Sequence, residues 1–195
     1  MKIIDITQEI LSCRIYTGDP EPKAERLKNM ENGEKYNLSA FSMCAHNGTH
    51  VDAPLHFIKN GKSIDQLSID NFIGDCFVAV HNGNVTAADA AAILNKAKAA
   101  GADERILIKG EATVTAGAAK VFADYGIKLI GNESQSIGPE NAPMEVHLIL
   151  LEKEVVLLEG LVLKDADEGK YFLSALPLNI ASFEGSPCRA YLIKN

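Results

Sequence analysis

The sequence is poor in the residues that mark several common protein classes. It has no tryptophan, and its four cysteines are scattered without a Cys-x-x-Cys pair, which indicates free thiols in a reducing compartment. No stretch approaches the roughly 18 consecutive apolar residues of a membrane span. The opening segment carries Asp5 and Glu9 where a signal peptide needs an unbroken apolar run. These absences favour a cytoplasmic protein with no membrane partner.

A stripe of basic residues and two familiar functional motifs are also missing. The chain has 19 Lys and Arg against 26 Asp and Glu, and the two signs are interspersed, so no basic stripe is available for a phosphate backbone. We therefore expect no nucleic-acid partner. No Gly-x-Ser-x-Gly elbow supports a serine nucleophile, and no glycine-rich phosphate loop accompanies a strand.

Length and local patterns predict one α/β domain over residues 1–195. At 195 residues and 47% hydrophobic content, the chain is long enough for one well-buried core and too short for two domains of typical size. Strand patterns alternate with helical ones, which predicts a mixed β-sheet with flanking helices.

The element boundaries follow from periodicity and capping signals. Thr86 and Asp89 form a capping-box pattern at the start of an alanine-rich helix that ends at Gly101, and a second helix is predicted over roughly 115–125. Residues 11–35 are predicted to form a long exposed loop, and 146–151 fit either a helix or a strand. The predicted strands cover 2–7, 36–45, 76–80, 105–109, 128–131 and 155–163, followed by further β structure near the end.

One short segment concentrates groups that can carry chemistry. Residues 46–56, HNGTHVDAPLH, hold three of the five histidines and an aspartate. Gly48 and Pro54 disfavour a helix, so we predict a loop or bent strand that turns its side chains toward one point. His46, His50 and Asp52 then offer nitrogen and oxygen ligands to zinc, manganese or a similar divalent ion, with positions left open for water. Open positions are typical of catalytic metal sites.

Simpler interpretations of these residues remain open. Each histidine taken alone could be a solvated loop residue, and Cys44, two positions before His46, could be either a ligand or a buried packing residue. The clustering of four ionisable groups favours the metal site. His81, at a turn after a predicted strand, is expected to be an ordinary surface residue.

The segment HNGTHVDAPLHF resembles the signature H-x-G-T-H-x-D-x-P-x-H of the cyclase-like metal-dependent hydrolase family, which includes bacterial kynurenine formamidase and isatin hydrolase. The blocks NGKSIDQLSIDNFIGD, LIGNESQSIGP and HLILLEKEVVLLEGL also resemble later parts of the family pattern, in the same order. The resemblance implies the cyclase/kynurenine formamidase-like fold, of the swivelling β/β/α type. It also implies hydrolysis of C–N bonds other than peptide bonds, as in an arylformamidase.

The same resemblance assigns the ligands of two metal ions. His46 and His50 would bind the first ion, Asp52 would bridge both, His147 would bind the second, and Glu159 would be a further bridging or shared ligand. Glu159 also has a physical warrant, because an ionised carboxylate within an apolar strand is costly unless it is paired or bound to a metal. The alternatives are a strand-end glutamate that faces water and a buried structural histidine at position 147.

The remaining expectations concern proton transfer, substrate and assembly. The resemblance makes His56 the general acid and base, and its alternative role is a third ligand of the first ion. By the same resemblance, Tyr16 corresponds to a tryptophan that lines the substrate pocket of kynurenine formamidase, and the family's Gly-x-Asp block corresponds to Gly131, Asn132 and Glu133. These departures suggest a different small amide, lactam or lactone. The family implies two zinc ions per chain, with manganese as the alternative, and a homodimer or homotetramer.

Three functional hypotheses follow. The first is a dinuclear hydrolase of a small formylated or cyclic carbonyl compound. The second is a mononuclear enzyme of the isatin hydrolase kind that holds one ion through His46, His50 and Asp52. The third is a catalytically silent metal-binding protein, against which the presence of His56 argues.

Overall fold

The structure is a computed structural model and describes residues 1–194. Three α-helices and thirteen β-strands are formed within this range, together with several short 3-10 turns. The helices are α1 (Ala87–Ala99), α2 (Ala116–Tyr125) and α3 (Met144–Leu151). The strands of the first half are β1 (Lys2–Asp5), β2 (Lys23–Lys28), β3 (Leu38–Ser42), β4 (His50–Asp52), β5 (Ile73–Val80) and β6 (Gly83–Val85). Those of the second half are β7 (Arg105–Lys109), β8 (Ala112–Val114), β9 (Leu129–Asn132), β10 (Val156–Glu159), β11 (Gly169–Ser174), β12 (Gly185–Pro187) and β13 (Tyr191–Lys194).

A nine-stranded mixed sheet organises the described chain. Its order is β1-β13-β11-β5-β7-β9-β10-β4-β12. The four central strands β5, β7, β9 and β10 are parallel, and the outer strands pair antiparallel. The α1 and α2 helices connect parallel strands, as βαβ crossovers require. The mixed sheet with flanking helices predicted from the sequence is therefore confirmed.

The two faces of the sheet bury different apolar clusters. Alternate residues of the central strands, such as Ile106 and Leu157, pack against the helices. The intervening residues, such as Leu107 and Leu158, belong to a second cluster that also includes Ile4 from the opposite end of the sheet. The sheet curls to allow this, because the backbone after β1 reaches the backbone after β10, where Val162 N donates to Ile6 O at 3.0 Å.

The two longer helices begin and end where local signals require. In α1, the Thr86 hydroxyl accepts from Asp89 N at 3.3 Å, and the Asp89 carboxylate accepts from Thr86 N at 2.9 Å. The α2 helix ends at Gly126, whose φ of +86° is costly for residues with a side chain. Buried alanines on both helices allow close packing between them, and the ambiguous segment 146–151 belongs to the helix α3.

Several predicted boundaries were wrong; the strands predicted over 2–7 and 36–45, for example, cover Lys2–Asp5 and Leu38–Ser42. Residues 11–35 are not one loop, because β2 lies within them and pairs with β3 as an exposed hairpin. The predicted strand 155–163 ends at Glu159, because Gly160 has φ +67° and turns the chain toward the start of the protein. No helix in the described range has the length and apolar character that a membrane crossing needs.

We predict that Thr86→Ala will lower the free energy of unfolding by about 1 kcal/mol, because it removes the oxygen that caps α1. Urea denaturation measures the change. The exposed Thr17→Ala is the matched control and should stay within about 0.5 kcal/mol of the parent. An equal effect of both substitutions would contradict the capping role.

Candidate metal centre

The pairing of β4 with β10 brings three predicted donors onto one face of the sheet. His50 lies directly opposite Glu159 in the antiparallel register, and Asp52 follows His50 by two residues. Residues two apart on a strand share a face, and directly opposed residues are cross-strand neighbours. All three side chains therefore point to the side covered by α3, which packs against β10 and carries His147.

Asp52 is the centre of the arrangement. The residue is fully buried, and its two carboxylate oxygens face different imidazoles. Oδ1 lies 2.9 Å from His46 Nδ1 and 3.4 Å from His50 Nε2, whereas Oδ2 lies 3.8 Å from His147 Nε2. The carboxylate thus stands between two groups of nitrogen donors, which is the position a bridging ligand occupies.

Glu159 faces the same two groups from the neighbouring strand. Its Oε2 lies 3.4 Å from His50 Nε2, and its Oε1 lies 3.2 Å from His147 Nε2. Oε1 also accepts a hydrogen bond from Ile137 N at 2.7 Å, which fixes the carboxylate. The residue is only 2% exposed, so the alternative of a strand-end glutamate facing water is wrong.

Backbone carbonyls orient two of the histidines. The Nδ1 of His50 is 3.0 Å from Gly48 O, and the Nδ1 of His147 is 2.9 Å from Pro143 O. A protonated Nδ1 donates to each carbonyl, which leaves Nε2 free to face the carboxylates. This is the arrangement that metal-ligating histidines commonly adopt.

His46 reaches the cluster from the turn that precedes β4. Gly48 has φ +63°, and a Cβ there would lie 2.8 Å from the Cβ of Cys13, so both conformation and space favour glycine. Gly185 on the edge strand β12 pairs with Asp52, and a Cβ at Gly185 would lie 2.7 Å from Cε1 of His46. The imidazole occupies space that this glycine leaves open.

His56 lies beside the donors and outside both donor groups. It ends a 3-10 turn over Pro54–His56, and its ring stacks on His46 with centroids 4.0 Å apart. Its centroid is 6.2 Å from that of His147, and Phe57 packs against both rings. The histidine is thus close enough to serve a molecule bound at the cluster.

The buried charges shift the proton affinities of the cluster in opposite directions. Burial lowers the pKa of His46, but the charge and hydrogen bond of Asp52 outweigh it and raise the value to about 9. The pKa values of His50 and His147 are also raised, because their contacts with Glu159 overcome burial. Burial and the positive charges of His46 and His147 lower the pKa of His56, although Asp52 opposes them. His56 is thus the imidazole of the cluster that is most readily neutral.

The donor set fits divalent metal ions. Two groups of ligand atoms converge within 4.8 Å, namely His46, His50 and Asp52, and Asp52, His147 and Glu159. Asp52 Oδ2 is buried and makes no hydrogen bond within the described residues, which is costly for a carboxylate unless a cation satisfies it. Imidazole nitrogen and carboxylate oxygen are common ligands of zinc and manganese.

A glutamine pair that the sequence did not reveal supports the centre. Gln135 Nε2 donates to Gly48 O at 2.9 Å, the same carbonyl that orients His50. Gln8 Nε2 donates to Gln135 Oε1 at 2.9 Å and to Gly160 O at 2.8 Å. The pair ties the turn before His50 to the turn after Glu159. Neither glutamine has a motif or a charge that could have signalled this role.

Other candidate residues lie outside the donor groups. The Tyr16 hydroxyl donates to Glu140 O, and the segment before it lies against the Gly48 turn, where Gly48 N donates to Arg14 O at 3.1 Å. The two carboxylate oxygens of Glu133 accept hydrogen bonds from Gly110 N and Leu163 N. Glu133 therefore connects the two loops that contain these residues.

The sulfur of Cys44 contacts Asp19 at 3.7 Å, and this cysteine belongs to neither donor group. All four cysteines are free thiols, as predicted. His81 is also remote from both donor groups, and its Nε2 lies 3.2 Å from Asn84 O.

One cleft of the described structure is lined by none of the metal-donor residues. It has a volume of about 690 Å³ and lies between the β2–β3 hairpin and the ends of β1, β11 and β12. Its apolar lining includes Phe41, Leu176 and Leu178, and none of the seven predicted site residues contributes to it. Gln8, which contacts Gln135 beside the donor cluster, also lines this cleft.

Comparison with known proteins links the chain to one family. The family model described as "Putative cyclase" matches residues 4–139. A kynurenine formamidase from Erythrobacter litoralis is 33% identical over 205 aligned residues, which cover 98% of this chain and 93% of that protein. This alignment extends past the family match and includes the region of α3 and β10.

Solved structures share the fold. A predicted metal-dependent hydrolase from Bacillus stearothermophilus is 27% identical with a TM-score of 0.80, covering 98% of this chain and 97% of that one. Isatin hydrolase A from Labrenzia aggregata, solved with benzyl benzoate bound, has a TM-score of 0.82 at 18% identity, covering 100% and 94% of the two chains. At that identity the likeness is one of fold.

We predict that the metal-free protein loses stability as the pH rises from 6.5 to about 9. The folded pKa of His46 is raised to about 9 from 6.5, so its contribution is fully present below pH 6.5 and is lost as the pH rises through 9. We expect a decrease on the order of 1–3 kcal/mol. Urea denaturation in the presence of EDTA measures it.

His46→Gln should reduce this pH dependence, and the raised pKa values of His50 and His147 should maintain part of it. His81→Gln is the control and should retain the full dependence. A stability that does not change between pH 6.5 and 9 would show that the buried imidazoles are neutral in the metal-free protein.

Proposed function

The chain belongs to the cyclase family, and from this membership we propose that it is a metal-dependent hydrolase of a small amide, lactam or lactone, similar to an arylformamidase. The observation that carries the proposal is Asp52, whose two buried oxygens face separate sets of imidazole donors. The kynurenine formamidase relative supports the C–N bond of a formamide as the target.

We infer that two divalent ions bind, most simply two zinc ions, with manganese as the alternative. His46 and His50 would hold the first ion, His147 would hold the second, and Asp52 and Glu159 would bridge them. The contacts of both carboxylates with imidazoles from each group support this assignment over a mononuclear site. When bound, such ions lower the pKa of water to about 7 and polarise a carbonyl group.

The protein contributes proton transfer and positioning. A ring nitrogen of His56 would accept the proton of the attacking water and later return it to the leaving nitrogen or oxygen. The lowered pKa of His56 supports this role, because the ring is neutral and able to accept a proton near pH 7. The contacts of His56 with the rings of His46 and Phe57 hold it beside the donors.

Two further parts of the proposal concern the substrate and assembly. Tyr16 would form part of the substrate pocket, which is supported by the proximity of its segment to the Gly48 turn. A homodimer or homotetramer is supported by exposed apolar side chains on the β2–β3 hairpin, among them Leu27, Leu38 and Phe41.

We predict that the parent protein hydrolyses at least one compound among aryl formamides, isatin-like lactams and lactones when zinc or manganese is supplied. His56→Ala should lower kcat by about 10²–10⁴-fold, because it removes the proton acceptor. Initial rates with each metal measure both effects. His81→Ala is the control and should retain parental activity, and equal rates for His56→Ala and the parent would exclude the assigned role.

Metal analysis of the purified protein provides a separate test. We predict two ions per chain in the parent and about one in both His46→Ala and His147→Ala, because each substitution removes a nitrogen from a different donor group. Mass-spectrometric metal quantification measures the ratio. One ion in the parent that is retained by His147→Ala would instead favour the mononuclear enzyme.

A further inference from the structure

We propose that Glu184 is a positioning residue that orients His46 toward the metal ions. The inference rests on the function proposed above and extends it to a residue that the sequence motif does not include. The Oε1 atom of Glu184 lies 3.4 Å from Nε2 of His46. Glu184 belongs to neither donor group, so it would act through the imidazole.

The three donor histidines differ in how their second nitrogen is held. His50 and His147 each have Nδ1 within 3.0 Å of a backbone carbonyl, which fixes the ring and leaves Nε2 for the metal. His46 is turned the other way, with Nδ1 at 2.9 Å from Asp52 Oδ1. Its second nitrogen is therefore Nε2, and no backbone carbonyl within the described residues accepts a hydrogen bond from it.

This unpartnered nitrogen calls for an acceptor. Nε2 of His46 is buried, and a buried N–H without an acceptor costs about 1–3 kcal/mol. The Glu184 carboxylate lies close to it, and its side chain is 42% exposed, so it is free to make the small rotation that aligns the hydrogen bond. A carboxylate in this position fixes the ring orientation and increases the basicity of the opposite nitrogen.

The backbone at Glu184 and Gly185 is fixed to β4 and to the residue that follows it. Glu184 O accepts from Ala53 N at 2.8 Å, immediately after Asp52. The next residue, Gly185, pairs with Asp52 and provides the space that the His46 ring occupies. The carboxylate is thus held beside β4, and the turn that carries His46 leads directly into that strand.

Two substitutions separate a hydrogen bond from a simple charge effect. Glu184→Ala removes both the acceptor and the charge, whereas Glu184→Gln keeps an oxygen acceptor and removes only the charge. Glu21→Ala removes an exposed carboxylate from the loop before β2 and serves as the matched control. Thermal unfolding of the metal-free variants verifies that all of them fold.

The readout is the affinity for Zn²⁺, measured by competition with a chromophoric chelator, and the visible absorption spectrum of the Co²⁺-loaded protein. For Glu184→Ala we expect one of the two ions to bind about 10–100-fold more weakly. The Co²⁺ spectrum should change, because His46 is no longer held in one orientation. Glu184→Gln should stay within a few-fold of the parent, and Glu21→Ala should match it.

The possible outcomes distinguish this inference from the proposed function. If Glu184→Ala binds Zn²⁺ with the affinity of the parent protein, the positioning role is overturned and the proposed metal site is unaffected. An equal loss in Glu184→Gln and Glu184→Ala also overturns it, because the effect then follows charge alone. A parent protein that binds no Zn²⁺ overturns the proposed function, and the positioning role with it.

Discussion

The buried carboxylate of Asp52 is the constraint on which the site depends. Its negative charge cannot be removed from water without compensation, and three segments of the chain supply compensating imidazoles: the Gly48 turn, β4 and α3. The direct pairing of His50 with Glu159 fixes β4 beside β10, against which α3 packs, and Gly185 leaves room for the His46 ring. The cluster is thus a product of sheet register as much as of residue choice.

The same arrangement explains why the metal-free cluster can exist in a folded protein. The raised pKa values of His46, His50 and His147 favour their protonated forms, whose charges oppose those of the two carboxylates when no metal is bound. Divalent ions then replace protons, so binding is coupled to proton release and strengthens with rising pH. His56 differs from these three because its pKa is lowered, which fits the separate role of proton carrier proposed for it.

The sequence predicted what is determined locally. The Thr86 and Asp89 cap, the strand Arg105–Lys109 and the end of α2 at Gly126 follow from neighbouring residues and were correct. The clustering of histidines and an aspartate in residues 46–56 identified the donor group His46, His50 and Asp52. The strand β2 was missed because its residues are exposed and lack an apolar alternation, and it is held only by pairing with β3. Gln8, Gln135 and Glu184 could not be found, since their roles arise from contacts between distant segments.

The division of the donors along the chain has a consequence for biosynthesis. His46, His50 and Asp52 leave the ribosome long before His147 and Glu159, and Glu159 cannot face His50 until β10 has paired with β4. An ion captured by the nascent chain would therefore meet only three of these donors, on a strand whose partners β10 and β12 have not yet been made. In the proposed two-ion site, binding of the second ion would therefore await the synthesis and pairing of β10.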